Sequence, residues 1–176
     1  MIVPDLVQAV VGYRVWNVVR GPVPLLASLN GHEEWAPGRA ATASCFRRAG
    51  PLDTALRPHD APDPSCTCGL YAAKSEDELL DPLNAQLAAL VHAAPQMQLV
   101  RGEVAMWGRV VEHERGWRGA LAYPLRVVVP ADFRSVLVAE DRSGARRLAA
   151  DEAAALIGRL YGCDTAVGRP GARRDD

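Results

Sequence analysis

The positions from Leu99 to Pro130 alternate between apolar and polar side chains, as in two long strands joined by a tight turn. Successive side chains of an extended chain point to opposite faces, so this pattern predicts a hairpin with one better-buried face. The sequence Glu-Arg-Gly at 114–116 predicts the turn, with Gly116 at positive φ. One face of the first strand is predicted to hold Val104, Met106, Gly108 and Val110, and the other face Glu103, Ala105, Trp107, Arg109, Val111 and His113.

The second strand of this hairpin contains a proline. Proline donates no ladder hydrogen bond and occurs in sheets at edges or bulges, so Pro124 predicts a bend near Tyr123. The apolar face of this strand is predicted to hold Trp117, Leu121, Tyr123, Leu125, Val127 and Val129.

Shorter elements are predicted before the hairpin. Leu25–Leu29 is expected to pair back on a first strand, Asn30-Gly31 to form a turn, and Trp35–Gly38 to form another that places Trp35 over the core. The first strand is indicated by alternation from Val7 to Val19, with Arg14, Trp16 and Val18 on one face and Tyr13, Val15, Asn17 and Val19 on the other.

A helix is predicted in the middle of the chain and is expected to pack on the sheet. Ser75 and Glu78 match a capping box, and Asp81 followed by Pro82 is a second start signal. The helix should end before Pro95. Its apolar face would hold Leu83, Leu87, Leu90 and Val91.

The C-terminal part predicts a strand at Val136–Ala139, a turn at Asp141–Gly144 and a second helix from Asp151 to Tyr161 that Gly162 terminates. The inward side chains of this helix would be Leu156, Ile157 and Leu160. Residues 1–167 are expected to form a single α+β domain, and residues 168–176, which carry no apolar run, a disordered tail. The predicted architecture is a mainly antiparallel sheet or partly open barrel with two packed helices and a metal-stapled loop.

Composition narrows the class of protein. The chain has 176 residues, of which 49% are hydrophobic and 23% charged, which is ordinary for a soluble domain. A net charge of −1 gives no general attraction to nucleic acid or membrane. Arginine and alanine are abundant and Lys74 is the only lysine, which suggests a high-GC bacterial genome. The start lacks a signal-peptide pattern and no run is long enough to span a bilayer, so a cytoplasmic location is expected.

The strongest chemical signal is a cluster of cysteines and a histidine around a proline-rich segment. Arg47–Ser65 can be neither a regular helix nor a central strand, and a loop of this length needs something to fasten it. The spacing is C-x13-H-x6-C-x-C-G, and it predicts a Cys3His zinc site at Cys45, His59, Cys66 and Cys68. In a cytoplasmic protein these thiols are expected to be reduced or metal-bound.

Several alternatives to this zinc site remain open. The C-x-C spacing is tighter than the usual two to four intervening residues. The thiols could be buried apolar groups, Cys45 could pair with Cys66, or His59 could be solvated, with Cys163 or a water as the fourth ligand. A structural role is favoured over a catalytic one because Cys-rich sites are usually closed.

A second group of residues is a candidate ligand pocket. His113, between Glu112 and Glu114, could act as a general base or a metal ligand, although both carboxylates face the other side of the strand. Aromatic rings and arginines around one cavity would suit a planar or anionic ligand; core packing is the simpler explanation of the rings. The candidates are Trp16, Trp107, Arg109, His113, Trp117 and Tyr123.

Two resemblances accompany these patterns. Trp107-Gly108-Arg109 followed by Val110 resembles the signature of the WGR domain, a small β-sheet domain that binds nucleic acid in DNA-damage proteins. The glycine expected two residues on is Val111, and a downstream lysine-rich helix is absent. The segments GEVAMWGRVVEHERGWR, AYP and CTCGLYA resemble stretches of small bacterial proteins to which no function is attached, so this second resemblance implies no activity.

Three functional hypotheses follow. The first is a non-enzymatic accessory or binding module with structural zinc, working with a protein partner as part of a larger assembly. The second is a zinc-dependent hydrolase with His113 as proton carrier, and the third is a nucleic-acid binder that uses the arginine-rich hairpin. The first is favoured; no catalytic residue is assigned, and neither a nucleic-acid nor a membrane partner is expected.

Overall fold

Two long antiparallel strands form the spine of the fold, which confirms the predicted hairpin. The computed structural model describes residues 5–19, 23–29, 33–48, 56–80, 98–133, 135–137 and 146–168. In chain order its elements are β1 (Asp5–Val19), β2 (Leu25–Ala27), β3 (Glu34–Trp35), β4 (Ala41–Thr42), β5 (Phe46–Arg48), β6 (Leu56–Pro58), β7 (Leu70–Ala73), α1 (residues 76–80), β8 (Leu99–Glu112), β9 (Gly116–Pro130), β10 (Ser135–Leu137), β11 (Arg146–Leu148), α2 (Ala150–Tyr161) and β12 (Asp164–Gly168).

Four of these strands close on one another into a ring. β8 pairs antiparallel with β1 along one edge and with β9 along the other. β7 pairs with the first residues of β9, and a bridge between Tyr13 and Ala73 connects it to β1. β12 runs parallel to β9, so the sheet is mixed. This arrangement agrees with the predicted α+β class and partly open barrel.

A bulge in β9 decides which of its side chains are buried. The register against β8 skips one residue at Leu125, directly after Pro124, which confirms the expected bend. A one-residue slip moves the following side chains to the opposite face. The predicted common face is therefore wrong in part: Leu125 is 41% exposed. The side chains buried before and after the bulge are Ala122, Pro124, Val127 and Val129.

Glycines allow the ring strands to approach closely. Gly116, expected at positive φ, is instead paired with Ala73 in the sheet, and a Cβ on it would lie 2.4 Å from the Ala72 carbonyl oxygen. Gly108 is the residue of the hairpin at positive φ, with φ 72°, in a second bulge between Trp107 and Val110. The prediction of a positive φ at Gly116 is therefore wrong: the glycine of this hairpin with left-handed backbone is Gly108.

The core lies between the sheet and α2. Trp16 and Trp35 are fully buried and pack edge to face, with ring centroids 5.5 Å apart, so Trp35 covers the core as predicted. α2 confirms the predicted second helix: Ile157 is buried, and the helix ends at Gly162 with left-handed φ 61°. Tyr161, the last residue of α2, links the helix to the first strands.

The Tyr161 hydroxyl makes two hydrogen bonds inside this core. It accepts the Leu26 backbone N–H at 2.8 Å and donates to the Trp35 carbonyl at 2.6 Å. Burial raises the pKa of Tyr161 to about 12, so the neutral hydroxyl that makes both bonds is the stable form. Tyr161→Phe should lower the free energy of unfolding in a urea titration by about 2–4 kcal/mol, because both backbone groups lose their partner in a dry environment.

Tyr13→Phe is the matched control for Tyr161→Phe. The Tyr13 hydroxyl has no hydrogen-bond partner within the described ranges, so its removal should change stability by less than about 0.5 kcal/mol. Equal losses in the two variants would show that the buried hydrogen bonds of Tyr161 contribute nothing measurable.

Several of the remaining predicted elements lie within the described residues. Ser75 Oγ accepts the Glu78 backbone N–H at 3.1 Å, so the predicted cap begins α1. Val136 and Leu137 lie in β10, and the Arg47–Ser65 segment contains β5 and β6, which form a small sheet apart from the ring. The sequence patterns did not predict β12.

Other predictions fall outside the described residues. These are the turns at Asn30-Gly31 and Asp141–Gly144, the helix after Asp81-Pro82, and residues 169–176 of the tail. Within the described ranges, no helix has the length and apolar character needed to cross a bilayer.

Candidate metal centre

The four residues predicted as ligands meet in space. One ligand atom each from Cys45, His59, Cys66 and Cys68 lies within 4.8 Å of all the others. The Sγ atoms of Cys45 and Cys66 are 3.7 Å apart, and Cys68 Sγ is 3.9 Å from His59 Nε2. Sulfurs about 2.3 Å from a tetrahedral ion stand about 3.7–3.8 Å from one another, so these spacings suit a single metal ion. The cluster could bind a metal ion.

Two pairs of elements bring these ligands together. Cys45 precedes β5 and His59 follows β6, and the pairing of Phe46 with Pro58 sets the two ligands side by side at one end of that small sheet. Cys66 and Cys68 come from the loop that leads into β7. The cluster therefore joins the small sheet to a strand of the ring.

The C-x-C turn directs backbone donors at a sulfur. The backbone N–H of Cys68, and to a smaller extent that of Thr67, is directed at the Cys66 sulfur, and these hydrogen bonds lower the pKa of Cys66. Such bonds favour the deprotonated form that binds metal. The expected backbone support of the thiolates is present for this residue.

The pKa of Cys45 is shifted in the opposite direction from that of Cys66. Burial, with the neighbouring thiols of Cys66 and Cys68, raises the pKa of Cys45 to about 11. Several thiolates cannot accumulate within 4.8 Å of one another without a cation. A divalent ion in their midst reverses this repulsion and deprotonates its thiol ligands.

Arg118 ties the C-x-C loop to the hairpin. Its side chain is 3% exposed, and Nη1 donates to the carbonyls of Cys66 and Cys68, the latter at 3.0 Å, with a longer bond of 3.4 Å to the Asp63 carbonyl. Its Nε donates to His113 Nε2 at 2.7 Å. Arg118 thus fixes the backbone on which two ligands sit, a role that the sequence did not predict for it.

His59 and Cys163, the two candidate residues for the fourth ligand, occupy different places in the structure. His59 Nδ1 is buried without a hydrogen-bond partner among the described residues, and the other ring nitrogen, Nε2, faces Cys68 Sγ within the cluster. Cys163 lies outside the cluster and packs against the core, where burial raises its pKa. All four cysteines of the chain are free thiols, so Cys45 and Cys66 are not paired.

The six candidate pocket residues occupy different environments. Trp16 is in the core, and His113 is exposed at the hairpin end, where it accepts from Arg118. Trp117 lies under Lys74, whose Nζ is 5.0 Å from its ring centroid, and Tyr123 is hydrogen-bonded to the Tyr161 carbonyl at 2.9 Å. Trp107 is partly buried in β8, and Arg109 lines a cavity. A shared ligand pocket of these residues stays a prediction.

Two cavities flank the cluster. One of about 410 Å³ is lined by Cys45, His59 and Arg109, and the Gly108 bulge lies next to this arginine in β8. The other, of about 530 Å³, is lined by Cys68 on one side and Arg14 on the other.

Arg14 was not selected from the sequence, although a signal for it exists. It shares a predicted strand face with Trp16 and Val18, which are both buried. A charged residue on an otherwise apolar face is unusual and indicates a specific role. Ser28 and Glu33, which line the same cavity, carried no such signal.

Comparisons with known proteins add no relative. A scan against family models and searches of curated proteins and of solved structures find no match for this chain. The likeness to the WGR signature therefore stays confined to residues 107–110. The fold and cluster define an α+β protein with a Cys3His group that could hold a metal ion, and its function must be argued from these residues.

Proposed function

We propose that this chain is a non-enzymatic binding module in which Cys45, His59, Cys66 and Cys68 hold a structural zinc ion. The observation that carries the proposal is the convergence of four ligand atoms within 4.8 Å. Thiolates and imidazole in a tetrahedral set are the ligands that zinc prefers in structural sites. The ion would fasten the proline-rich segment to the strand that completes the ring.

The number of ligands favours a structural over a catalytic ion. A catalytic zinc usually has three protein ligands and keeps a fourth position for water or substrate. Here four residues of the chain offer one ligand atom each, enough to complete a four-coordinate shell, and His113, the predicted proton carrier, is engaged with Arg118 instead. The hydrolase hypothesis would need one ligand to leave.

The hairpin arginines give little support to nucleic-acid binding. Arg118 is buried, Arg101 pairs with Glu76 at 2.8 Å, and Arg126 lies 3.8 Å from Glu103. Phosphate binding draws on exposed, unpaired basic side chains, so the burial of Arg118 and the ion pairs of the other two do not favour it. A protein partner and a cytoplasmic location remain parts of the proposal, and the free thiols fit the latter.

Elemental analysis of the purified protein tests the metal directly. About one zinc ion per chain is expected, since one tetrahedral site takes one ion. Cobalt(II) substituted for zinc should show the intense visible absorption of a tetrahedral thiolate site, and it should be the same in Cys163→Ser, which lies outside the cluster. A fully folded protein that contains no metal, or a cobalt spectrum of octahedral type, would overturn the proposal.

A further inference from the structure

A second cluster of polar residues surrounds Arg14, on the other side of the C-x-C loop. The Arg14 guanidinium lies 5.0 Å from the centroid of the Trp35 ring, donates from Nη2 to Ser28 Oγ at 2.7 Å and from Nη1 to the Tyr71 carbonyl. These contacts hold the guanidinium in one orientation at the wall of the 530 Å³ cavity. The cation is thus preorganised, which lowers the cost of binding a ligand.

The charge of Arg14 is incompletely neutralised. Among the described residues it has no carboxylate at ion-pair distance, and the described ion pairs involve other side chains. Glu33 acts on it through space, and Ser28 lies between them, with its Oγ 3.4 Å from Glu33 Oε2. Burial lowers the pKa of Arg14 to about 10, which shows how poorly this cation is solvated. An anion in the cavity would supply the missing counter-charge.

Some of the hydrogen-bond donors of Arg14 have no partner among the described residues. An arginine side chain has five N–H donors. The described contacts use one on Nη1 and one on Nη2, and Nε is buried without a partner among the described residues. The second N–H of Nη1 and the second N–H of Nη2 have no described partner, and paired guanidinium N–H groups match the two oxygens of a carboxylate.

The rest of the cavity indicates the size and charge of the ligand. Its walls include the aromatic rings of Tyr13 and Tyr71 and the apolar side chain of Leu79. A volume of about 530 Å³ is in the range of sites for small molecules. Because Glu33 lines the same cavity as Arg14, a ligand with one negative charge would meet less repulsion there than a dianion.

We infer that this cavity binds a small organic molecule with one carboxylate group, which Arg14 holds while Tyr13 and Tyr71 contact its apolar part. The inference names a ligand class for the binding module proposed above and rests on that proposal. It does not depend on the identity of the metal. Cys68 is the only one of the four cluster residues among the described residues that line this cavity.

The test is a titration of the full chain with benzoate, acetate and inorganic phosphate at constant ionic strength. Binding is followed by tryptophan fluorescence, because Trp35 lies against Arg14, and by the Arg14 Nε–H signal in ¹⁵N NMR. Benzoate should bind saturably and more tightly than acetate, because of its ring, and more tightly than phosphate, because of its single charge. Absence of saturable benzoate binding, or tighter binding of phosphate, would overturn the inference.

Three variants assign the binding to this cavity. Arg14→Gln should weaken benzoate about tenfold or more through loss of a charged hydrogen-bond donor. Glu33→Gln should tighten benzoate binding about 3- to 10-fold, because it removes a nearby negative charge. This variant tests the inference even if the Arg14 variant does not fold. Arg39→Gln, at an exposed arginine, should leave the dissociation constant unchanged. Equal affinity in the Arg14 and Arg39 variants, or no tightening in the Glu33 variant, would contradict the assignment.

Zinc content measured on the same samples separates the two proposals. Zinc-loaded protein that fails to bind benzoate would contradict the ligand inference alone. Metal-free, folded protein that binds benzoate with the expected Arg14 dependence would contradict the zinc proposal alone.

Discussion

Cys68→Ser is expected to abolish stoichiometric zinc binding and to lower the free energy of unfolding by about 3–5 kcal/mol. The size follows from linkage: a metal present at a free concentration about a thousandfold above its Kd stabilises the folded state by about 4 kcal/mol. A serine hydroxyl is a poor substitute for the thiolate, because zinc prefers sulfur in such sites. Urea unfolding with and without a chelator measures the effect, and in the variant the chelator should change little.

The loss of stability in Cys68→Ser should appear first near the metal cluster and only then in the whole domain. Without the ion, the loop from His59 to Cys68 still has the hydrogen bonds from Arg118 but loses its link to the small sheet, and it leads directly into β7, which closes the ring. Hydrogen exchange should therefore accelerate at Leu70–Ala73 in Cys68→Ser, while the amides of α2 remain protected.

Cys163→Ser is the matched control for Cys68→Ser. Cys163 is partly buried and packs against the core, but it is not one of the cluster residues. This variant should keep full zinc content and the chelator response of the unmodified chain. If Cys68→Ser is as stable as Cys163→Ser and equally insensitive to the chelator, the cluster holds no stabilising ion.

Arg118→Ala is expected to have the second-largest effect. The substitution removes the donor to the carbonyls of Cys66, Cys68 and Asp63 and leaves them without this partner in a partly buried environment. Loss of hydrogen bonds that orient ligands typically lowers metal affinity about 10- to 100-fold. The orphaned carbonyls should cost a further 2–4 kcal/mol or so of stability, at about 1–3 kcal/mol each before relaxation. Competition with a chromogenic chelator measures the affinity, and urea unfolding the stability.

Three further variants show how Arg118 acts. Arg118→Lys keeps the charge, but a lysine cannot reach the carbonyls and the imidazole with one planar group, so it should recover only a small part of the metal affinity. His113→Ala removes an exposed acceptor and should have a much smaller effect. Arg126→Ala, at an exposed position of the same strand, should change stability by less than about 0.5 kcal/mol. Unchanged metal affinity in Arg118→Ala would show that the loop carbonyls position themselves without it.

The two proposals assign different tasks to neighbouring parts of one loop. Cys66 and Cys68 belong to the metal cluster, while Thr67 and Cys68 also line the cavity beside Arg14. An ion that orders the loop would therefore also shape one wall of that cavity. The zinc site would act as scaffold and the cavity as the place where binding occurs.

Local patterns were sufficient for the elements that depend on neighbours in the chain. Alternation along Leu99–Glu112 and Gly116–Pro130 predicted the hairpin, and the spacing of apolar residues with Gly162 predicted α2, because period and capping are local properties. The ligand set was also predictable, since three cysteines and one histidine lie close together in the chain, in and around the proline-rich segment. That the cluster could bind a metal is what the structure supports; zinc is still a proposal.

The long-range arrangement was decided by tertiary structure alone. Bulges at Gly108 and Leu125 shift the strand faces, and their positions depend on the register between strands rather than on alternation within one of them. The role of Arg118 depends on a loop about fifty residues earlier, whose carbonyls it reaches, and that of Arg14 on Ser28 and Tyr71. The sequence by itself determined the hairpin, α2 and the candidate ligands, because periodicity, capping and clustered ligand types are read over short distances. Tertiary structure determined the ring closure, the parallel pairing of β12 and the environments of Arg14 and Arg118, because hydrogen-bond partners distant in the chain are chosen by packing.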